Sequence, residues 1–156
     1  MNATPDAARQ FVERLRAAGK RIVLTNGVYD LVHPGHLRYL QAARQLGDVL
    51  IVGVNSDRSV RAIKGADRPF TPEAERAEIL AALTAVDAVV IFDQETPHEI
   101  ISALQPDVLV KGADWAEEAI VGRDVVEGRG GRVVRVPVEA GYSTTRILQK
   151  IRSEIG

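Results

Sequence analysis

The sequence predicts a single α/β domain over residues 1–156, with a doubly wound five-stranded parallel sheet and helices on both faces. Three observations carry this. Short β-branched and aliphatic runs alternate with amphipathic segments from residue 21 onward, the pattern of strand–helix–strand units. The strand-like runs are nearly continuous in apolar residues, as strands covered on both faces must be. No internal repeat, linker or low-complexity tract interrupts the alternation.

In chain order, residues 5–18 place Phe11, Val12 and Leu15 on one helical face, and Gly19 stops this N-terminal helix ahead of a core over residues 21–154. "RIVLT" (21–25) reads as the first strand. Leu37, Leu40 and Ala43 recur at helical spacing from Pro34 up to Gly47. "DVLIVGVN" (48–55) is the second strand, and a short helical piece covers Asp57 to Ile63. "KGADRPFTP" (64–72) is a loop. Thr71 is a good N-cap with Pro72 at the first helical position, and the helix runs to about Leu83, burying Ile79, Leu80 and Leu83. "DAVVIF" (87–92) is the third strand, a helix runs from Pro97 through Leu104, and "DVLVKG" (107–112) is the fourth strand. A helix near 122–128 precedes the fifth strand, "RVVRVPV" (132–138). Ser143 caps a last helix carrying Ile147, Leu148, Ile151 and Ile155.

Composition narrows function. The chain is 46% apolar and 26% charged with a formal net charge of −1, so no global field draws it to nucleic acid or an anionic membrane. It has 0 cysteines, which excludes disulfides, thiolate metal sites and thiol catalysis. The opening "MNATPDAARQ" lacks the basic start and apolar run of a signal peptide, and no stretch approaches the roughly 20 apolar residues of a membrane span. A cytoplasmic protein is expected.

In open parallel sheets, ligands sit beyond the carboxyl ends of the strands, where strand order reverses. That rule selects the loops Asn26–His36, Asn55–Lys64, Lys111–Trp115 and Glu139–Thr145. In the first of them, "TNGVYDLVHPGH", Gly35 lets backbone approach a ligand closely, and the following helix offers free N–H groups and a positive dipole end. His33 and His36 lie one turn apart and face one point, a pairing suited to phosphate. The plain alternative is one exposed loop histidine and one stacked on the core. Zinc would need three or four ligands; cysteine is absent, His98 is distant, and no H-E-x-x-H pattern occurs.

"GVYDLVHPGH" strongly resembles the signature of the H-x-G-H nucleotidyltransferase superfamily, and "GYSTTRIL" resembles its S-T-T segment at the start of a helix. "KGADRP", "AERAEILAAL" and "PDVLVKGADW" resemble the branch that makes ADP-heptose from heptose 1-phosphate, the transferase half of bifunctional heptose enzymes. The resemblance spans roughly residues 21–152. Two departures stand out. That branch commonly reads "NGCFD" where Val28 and Tyr29 stand, and "GVYD" is more usual among cytidylyltransferases; Tyr142 stands where cysteine is usual. The kinase half is not in this chain, so only transfer is expected of it.

The resemblance implies a Rossmann-like fold and a reaction in which an acceptor phosphate oxygen attacks the α-phosphorus of a nucleoside triphosphate and pyrophosphate leaves. ATP is the implied co-substrate, with CTP as the alternative, and Mg2+ or another divalent cation is expected through the phosphates, since no carboxylate cage is visible. His33, His36 and Lys64 become the catalytic candidates. Asn26, Gly27, Val28, Tyr29, Gly35, Arg68 and Arg76 are implied around the nucleotide phosphates, as are Lys111, Gly112, Gly141, Ser143, Thr144 and Thr145. Asp30 is implied near the acceptor phosphate or the metal, and Asp114 near the acceptor. Each has an ordinary alternative. Lys64 and Arg68 read equally as a solvated basic loop, Arg76 between Glu75 and Glu78 as a surface ion pair, and Asp30 as a turn former. Ser143 needs nothing more than capping, although capping leaves the two threonines behind it unexplained. A lysine ending a buried strand, as Lys111 does, is costly without a partner.

Expected partners are a nucleoside triphosphate and a sugar phosphate, with homodimer formation implied by the resemblance and neither nucleic acid nor membrane. Adenylyl transfer to D-glycero-β-D-manno-heptose 1-phosphate leads. Cytidylyl transfer to glycerol 3-phosphate or a related alcohol phosphate is the alternative, and a nucleotide-binding sensor module is the non-enzymatic one. A redox dinucleotide domain would want G-x-G-x-x-G after the first strand, and "NGVYDLVHPG" does not match.

Overall fold

The computed structural model describes residues 1–138 and 141–155. Its elements run β1 (Asn2–Ala3), α1 (Pro5–Ala17), β2 (Ile22–Gly27), α2 (Pro34–Arg44), β3 (Val49–Asn55), α3 (Asp57–Lys64), α4 (Glu73–Ala81) and β4 (Ala88–Phe92). Then follow α5 (His98–Leu104), β5 (Val108–Gly112), a 3-10 turn at Glu117–Ala119, α6 (Arg123–Gly128), β6 (Arg132–Val136) and α7 (Thr144–Ile155).

The sheet has six parallel strands in the order β1-β4-β3-β2-β5-β6, not five. The five predicted strands are β2 to β6. The added β1 is two residues at the edge, pairing Asn2 with Val89 and Ala3 with Val90. Backbone hydrogen bonds hold it, so no side-chain alternation marked it.

Residues of β2 alternate between two cores. Ile22 and Leu24 pack with Ala8 and Val12 of α1, Ile101 and Leu104 of α5 and Val126 of α6. Val23 packs with Leu40 and Ala43 of α2 and Ala77 and Leu80 of α4. Every residue of β3 is buried, which explains its unbroken apolar run. Helices α2 and α4 cover one face, and α1, α5 and α6 the other. Strand order therefore reverses between β2 and β5, and the crevice at their carboxyl ends is where a ligand fits.

The opposite edge is closed by aspartates. Asp48, Asp87 and Asp107 each precede a strand and accept a neighbouring backbone N–H: from Arg21 at 2.7 Å, Leu50 at 2.8 Å and Ile22 at 2.8 Å. These are donors that the ladder leaves unpaired where it ends.

The expectations for α4 are corrected at both of its ends. Pro72, not Thr71, occupies the N-cap position of α4, and Thr71 instead donates its hydroxyl to the Asp30 carbonyl at 2.8 Å. That helix ends at Ala81, and Ile79 is 45% exposed while Leu80 is buried and Leu83 half-buried. α7 is amphipathic but buries no residue; its last isoleucine, Ile155, is 83% exposed. Among the described residues no helix is long and apolar enough to cross a membrane.

Removing one strand-edge aspartate exposes the role of that hydrogen bond. Asp107→Ala should lower unfolding free energy by about 1–3 kcal/mol, the cost of orphaning a partly buried N–H. Urea unfolding should show a lower midpoint with an unchanged slope.

Candidate active site

The β2–α2 connection supplies the first side of the site. Tyr29 adopts φ +52°, a conformation uncommon for a bulky residue, and its ring folds back over Gly27. A Cβ at Gly27 would meet that ring at 2.9 Å, so only glycine fits beneath it. Tyr29 is buried, and its ring meets the His36 imidazole at 5.3 Å between centroids.

His33 is the N-cap residue of α2, with Pro34 at the first helical position. Its backbone N–H donates to His36 Nδ1 at 3.3 Å, and the two rings stack at 3.8 Å and 21°. Accepting at Nδ1 assigns the His36 proton to Nε2, leaving Nε2–H as a donor. Burial, then the neighbouring His33, push the His36 pKa down to about 4; burial also lowers that of His33. Both imidazoles are therefore neutral at pH 7. His33 Nδ1 is buried without a hydrogen-bond partner among the described residues, a group that favours an incoming donor or an ordered water.

The tail reaches the same place. A Cβ on Gly35 would lie 2.8 Å from Tyr142 Cβ, so the segment entering α7 is seated directly on the start of α2. Tyr142 continues the stack, with its ring 6.2 Å from that of His33. Ser143 Oγ accepts the Arg146 N–H at 3.0 Å and caps α7 as expected. Of the expected tail loop, Glu139 lies outside the described residues.

Two adjoining cavities open here, of about 440 and 660 Å³. Their common wall includes Asn26, Gly27, Tyr29, His36, Lys64, Lys111, Trp115 and Thr144. The smaller adds His33, Gly35, Gly112, Asp114 and Ser143; the larger adds Asp30, Arg68 and Thr145. Val28 lines both, and Gly141 lines a third hollow of about 230 Å³ beside His33. Lys111 is 9% exposed, its ammonium 5.5 Å from the centre of the Trp115 ring. Burial pulls its pKa down to about 8 against the opposing pull of Asp114.

Two expected site residues are engaged by other groups of the chain. Arg76 is fully buried and lines none of these cavities. Its guanidinium donates to the carbonyls of Val28 at 2.7 Å, Asn55 at 2.8 Å and Thr71 at 2.8 Å, and to the Asp57 carboxylate at 2.8 Å. Its ion pair is thus an interior one, not the surface pair that its flanking glutamates suggest. Asp30 borders the larger cavity, but both carboxylate oxygens are engaged: by Arg68 Nε at 2.7 Å and by the Phe70 and Thr71 N–H groups at 2.9 Å each. Burial raises its pKa, but these donors outweigh that and hold it below the ordinary carboxylate value. Asp30 thus anchors the basic loop rather than presenting an open carboxylate to an acceptor.

The sequence pattern did not single out Trp115 or Tyr142 as lining residues, although they are 50% and 37% exposed in the smaller cavity. It also passed over Glu95, Thr96, Ile120 and Val121 in the larger. An exposed lone tryptophan is a usable signal, but exposure is not written in periodicity.

The chain matches the cytidylyltransferase-like family over residues 24–150. The Bifunctional protein HldE of Geotalea uraniireducens is 57% identical over 148 residues, covering 95% of this chain and 30% of that protein. That of Hyphomonas neptunium is 55% identical over 151 residues, covering 97% and 31%. The chain thus spans about 30% of the length of these curated relatives. The crystal structure of the lipopolysaccharide core biosynthesis protein from Thermoplasma volcanium GSS1 superposes with a TM-score of 0.64 at 27% identity, covering 78% of this chain and 98% of that one.

Because Arg76 ties loops together without touching a cavity, its loss should register first as instability. Arg76→Met is expected to cost about 3–5 kcal/mol, since it strands a carboxylate and three carbonyls. Chemical denaturation of both proteins measures the difference.

Proposed function

Because this chain belongs to the cytidylyltransferase-like family, we propose that it transfers a nucleoside monophosphate from a triphosphate to a phosphorylated sugar, releasing pyrophosphate. We propose specifically adenylyl transfer from ATP to D-glycero-β-D-manno-heptose 1-phosphate, giving ADP-heptose. One observation carries the transferase proposal: His33 and His36 from the front of the chain and Ser143 and Thr144 from its tail line one cavity with a buried lysine. The heptose choice is supported by identity of 57% and 55% to the two HldE proteins. "GVYD" in the first loop keeps CTP and glycerol 3-phosphate as the competing pair.

In this mechanism an acceptor phosphate oxygen forms a bond to the α-phosphorus, and the bond to the bridging α–β oxygen breaks with its electron pair leaving on pyrophosphate. Little proton transfer is needed, because a phosphate monoester is largely ionised near neutral pH. The chain's task is to align two anions and spread the charge that builds on the phosphoryl oxygens. His36 Nε2–H donates to those oxygens as a neutral group, with its orientation fixed by the His33 N–H at Nδ1. Lys111 and Lys64 supply positive charge from the common wall, and the first turn of α7 offers Thr144 and free N–H groups. Trp115 gives the base an apolar face beside Lys111.

The triphosphate brings its divalent cation, magnesium in this proposal, as part of the substrate, where it neutralises phosphate charge. Among the described residues no three His, Asp or Glu side chains group into a metal cluster, and the cavity donors suit phosphate oxygens. We further propose a cytoplasmic location, no nucleic-acid partner and a homodimer, the last supported by the exposed isoleucines of α7.

Pyrophosphate release from ATP or CTP, with heptose 1-phosphate or glycerol 3-phosphate, tests the proposal. ATP with the heptose phosphate should be the fastest pair, and no release with any pair would end the transferase proposal. In the same assay His36→Ala should lower kcat by about 10²–10³ with an unchanged melting temperature. Near-normal turnover would remove His36 from the mechanism.

A pH profile tests Lys111. Its folded pKa of about 8 lies below the ordinary value, so the cationic form prevails below pH 8 and is lost above it. kcat/KM for the triphosphate, which reports the free enzyme, should therefore fall as pH rises through about 8. Lys111→Arg should abolish that limb, because a guanidinium stays charged there.

A further inference from the structure

The two cavities differ in their chemistry. The smaller, at about 440 Å³, adds the α7 N-cap, Gly112 and His33 to the common wall. The larger, at about 660 Å³, draws on other connections. Arg68 and Lys64 reach it from the α3–α4 segment, Glu95 and Thr96 from the β4–α5 segment. It thus has cations from one connection and a carboxylate and a hydroxyl from another.

Glu95 and Thr96 are exposed, and among the described residues neither side chain has a hydrogen-bond or ion-pair partner. The chain around them is firmly held. Ser56 Oγ donates to the Asp93 carboxylate at 2.6 Å, and Arg58 also pairs with Asp93. Ser59 Oγ donates to the Gln94 carbonyl at 2.7 Å and accepts from Asn55 Nδ2 at 3.0 Å. Gln94 Nε2 donates to Glu99 at 2.7 Å, and Pro97 behind the pair is buried. Asn55, Ser56 and Ser59 are each at most 5% exposed, so this support is an interior network. Fixed backbone carrying unpaired polar side chains is how a preorganised binding edge is built.

A carboxylate placed there repels a triphosphate and accepts hydrogen bonds from hydroxyl groups. We infer that the larger cavity is the subsite for a polyol phosphate, with Arg68 and Lys64 toward its phosphate and Glu95 and Thr96 hydrogen-bonded to its hydroxyls. This rests on the two-substrate transfer proposed above and adds the residues that select the acceptor. The nucleotide then takes the smaller cavity, and the two phosphates meet at the common wall, where His36, Lys64, Lys111 and Thr144 stand.

Calorimetric titration of the full chain tests this without needing turnover. ATP, heptose 1-phosphate and glycerol 3-phosphate are titrated separately into wild type, Glu95→Ala and Thr96→Val. Each substitution should weaken the sugar phosphate by about tenfold or more and leave ATP within about twofold, with unchanged melting temperature. A loss of ATP affinity with unchanged acceptor affinity would reverse the assignment, and no change for any ligand would remove both residues from recognition. If wild type binds glycerol 3-phosphate but not the sugar phosphate, the heptose proposal fails separately. The subsite is then upheld by a tenfold loss of glycerol 3-phosphate in the variants and overturned by none. Wild type that binds neither acceptor overturns both.

Discussion

The Arg76 guanidinium lies fully buried among the carbonyls of Val28, Asn55 and Thr71 and the carboxylate of Asp57. Those acceptors belong to three segments that leave the carboxyl end of the sheet: the β2–α2 connection, the β3–α3 turn and the loop before α4. Backbone carbonyls cannot be left unpaired in such a place, and one planar cation satisfies them together. The network continues outward. The Thr71 N–H donates to Asp30, and Asp30 accepts from Arg68. A buried charge thereby fixes the position of a basic side chain on the larger cavity, and the histidine loop is registered against the same anchor through Val28.

With a net charge of −1, attraction for an anion has to be generated locally. The structure does this with few formal charges at the centre. Partial burial lowers the pKa of both His33 and His36, and the neighbouring ring lowers that of His36 further, so neutral imidazoles prevail at neutral pH. In the proposed transfer they act as directed dipoles, which need no reorganisation when charge develops on a ligand. In the same proposal Lys111 supplies the cation from the end of β5, where burial strengthens its pull on an anion while making its own proton easier to lose.

Two cavities sharing a wall suit a reaction between two anions. Each substrate needs its own recognition surface, while the charged ends must approach to reacting distance. The topology supplies the arrangement: the α3–α4 and β4–α5 segments add to the larger lobe, the β6–α7 connection lines both, and the ends of β2 and β5 provide the floor they share.

The strands β2 to β6, the helices between them and the crevice that holds the candidate site followed from the sequence, because period and burial are local properties that each segment expresses on its own. His33, Gly35, His36, Lys111 and the tail hydroxyls were legible because their spacing places them beside strand ends and helix starts. Tertiary structure alone decided the rest. Arg76 looked like a surface or phosphate-binding arginine because its acceptors, at Val28 and Asn55, lie 48 and 21 residues away in the chain. Asp30 looked like a turn former or a ligand until the Arg68–Thr71 segment closed on it. β1 was too short to carry a pattern. Thr71 and Glu95 have side chains whose purpose depends on what the fold brings opposite them. A sequence records which groups a chain owns and how they recur, but the pairing of buried polar groups is a long-range choice, settled only when the backbone has closed around them.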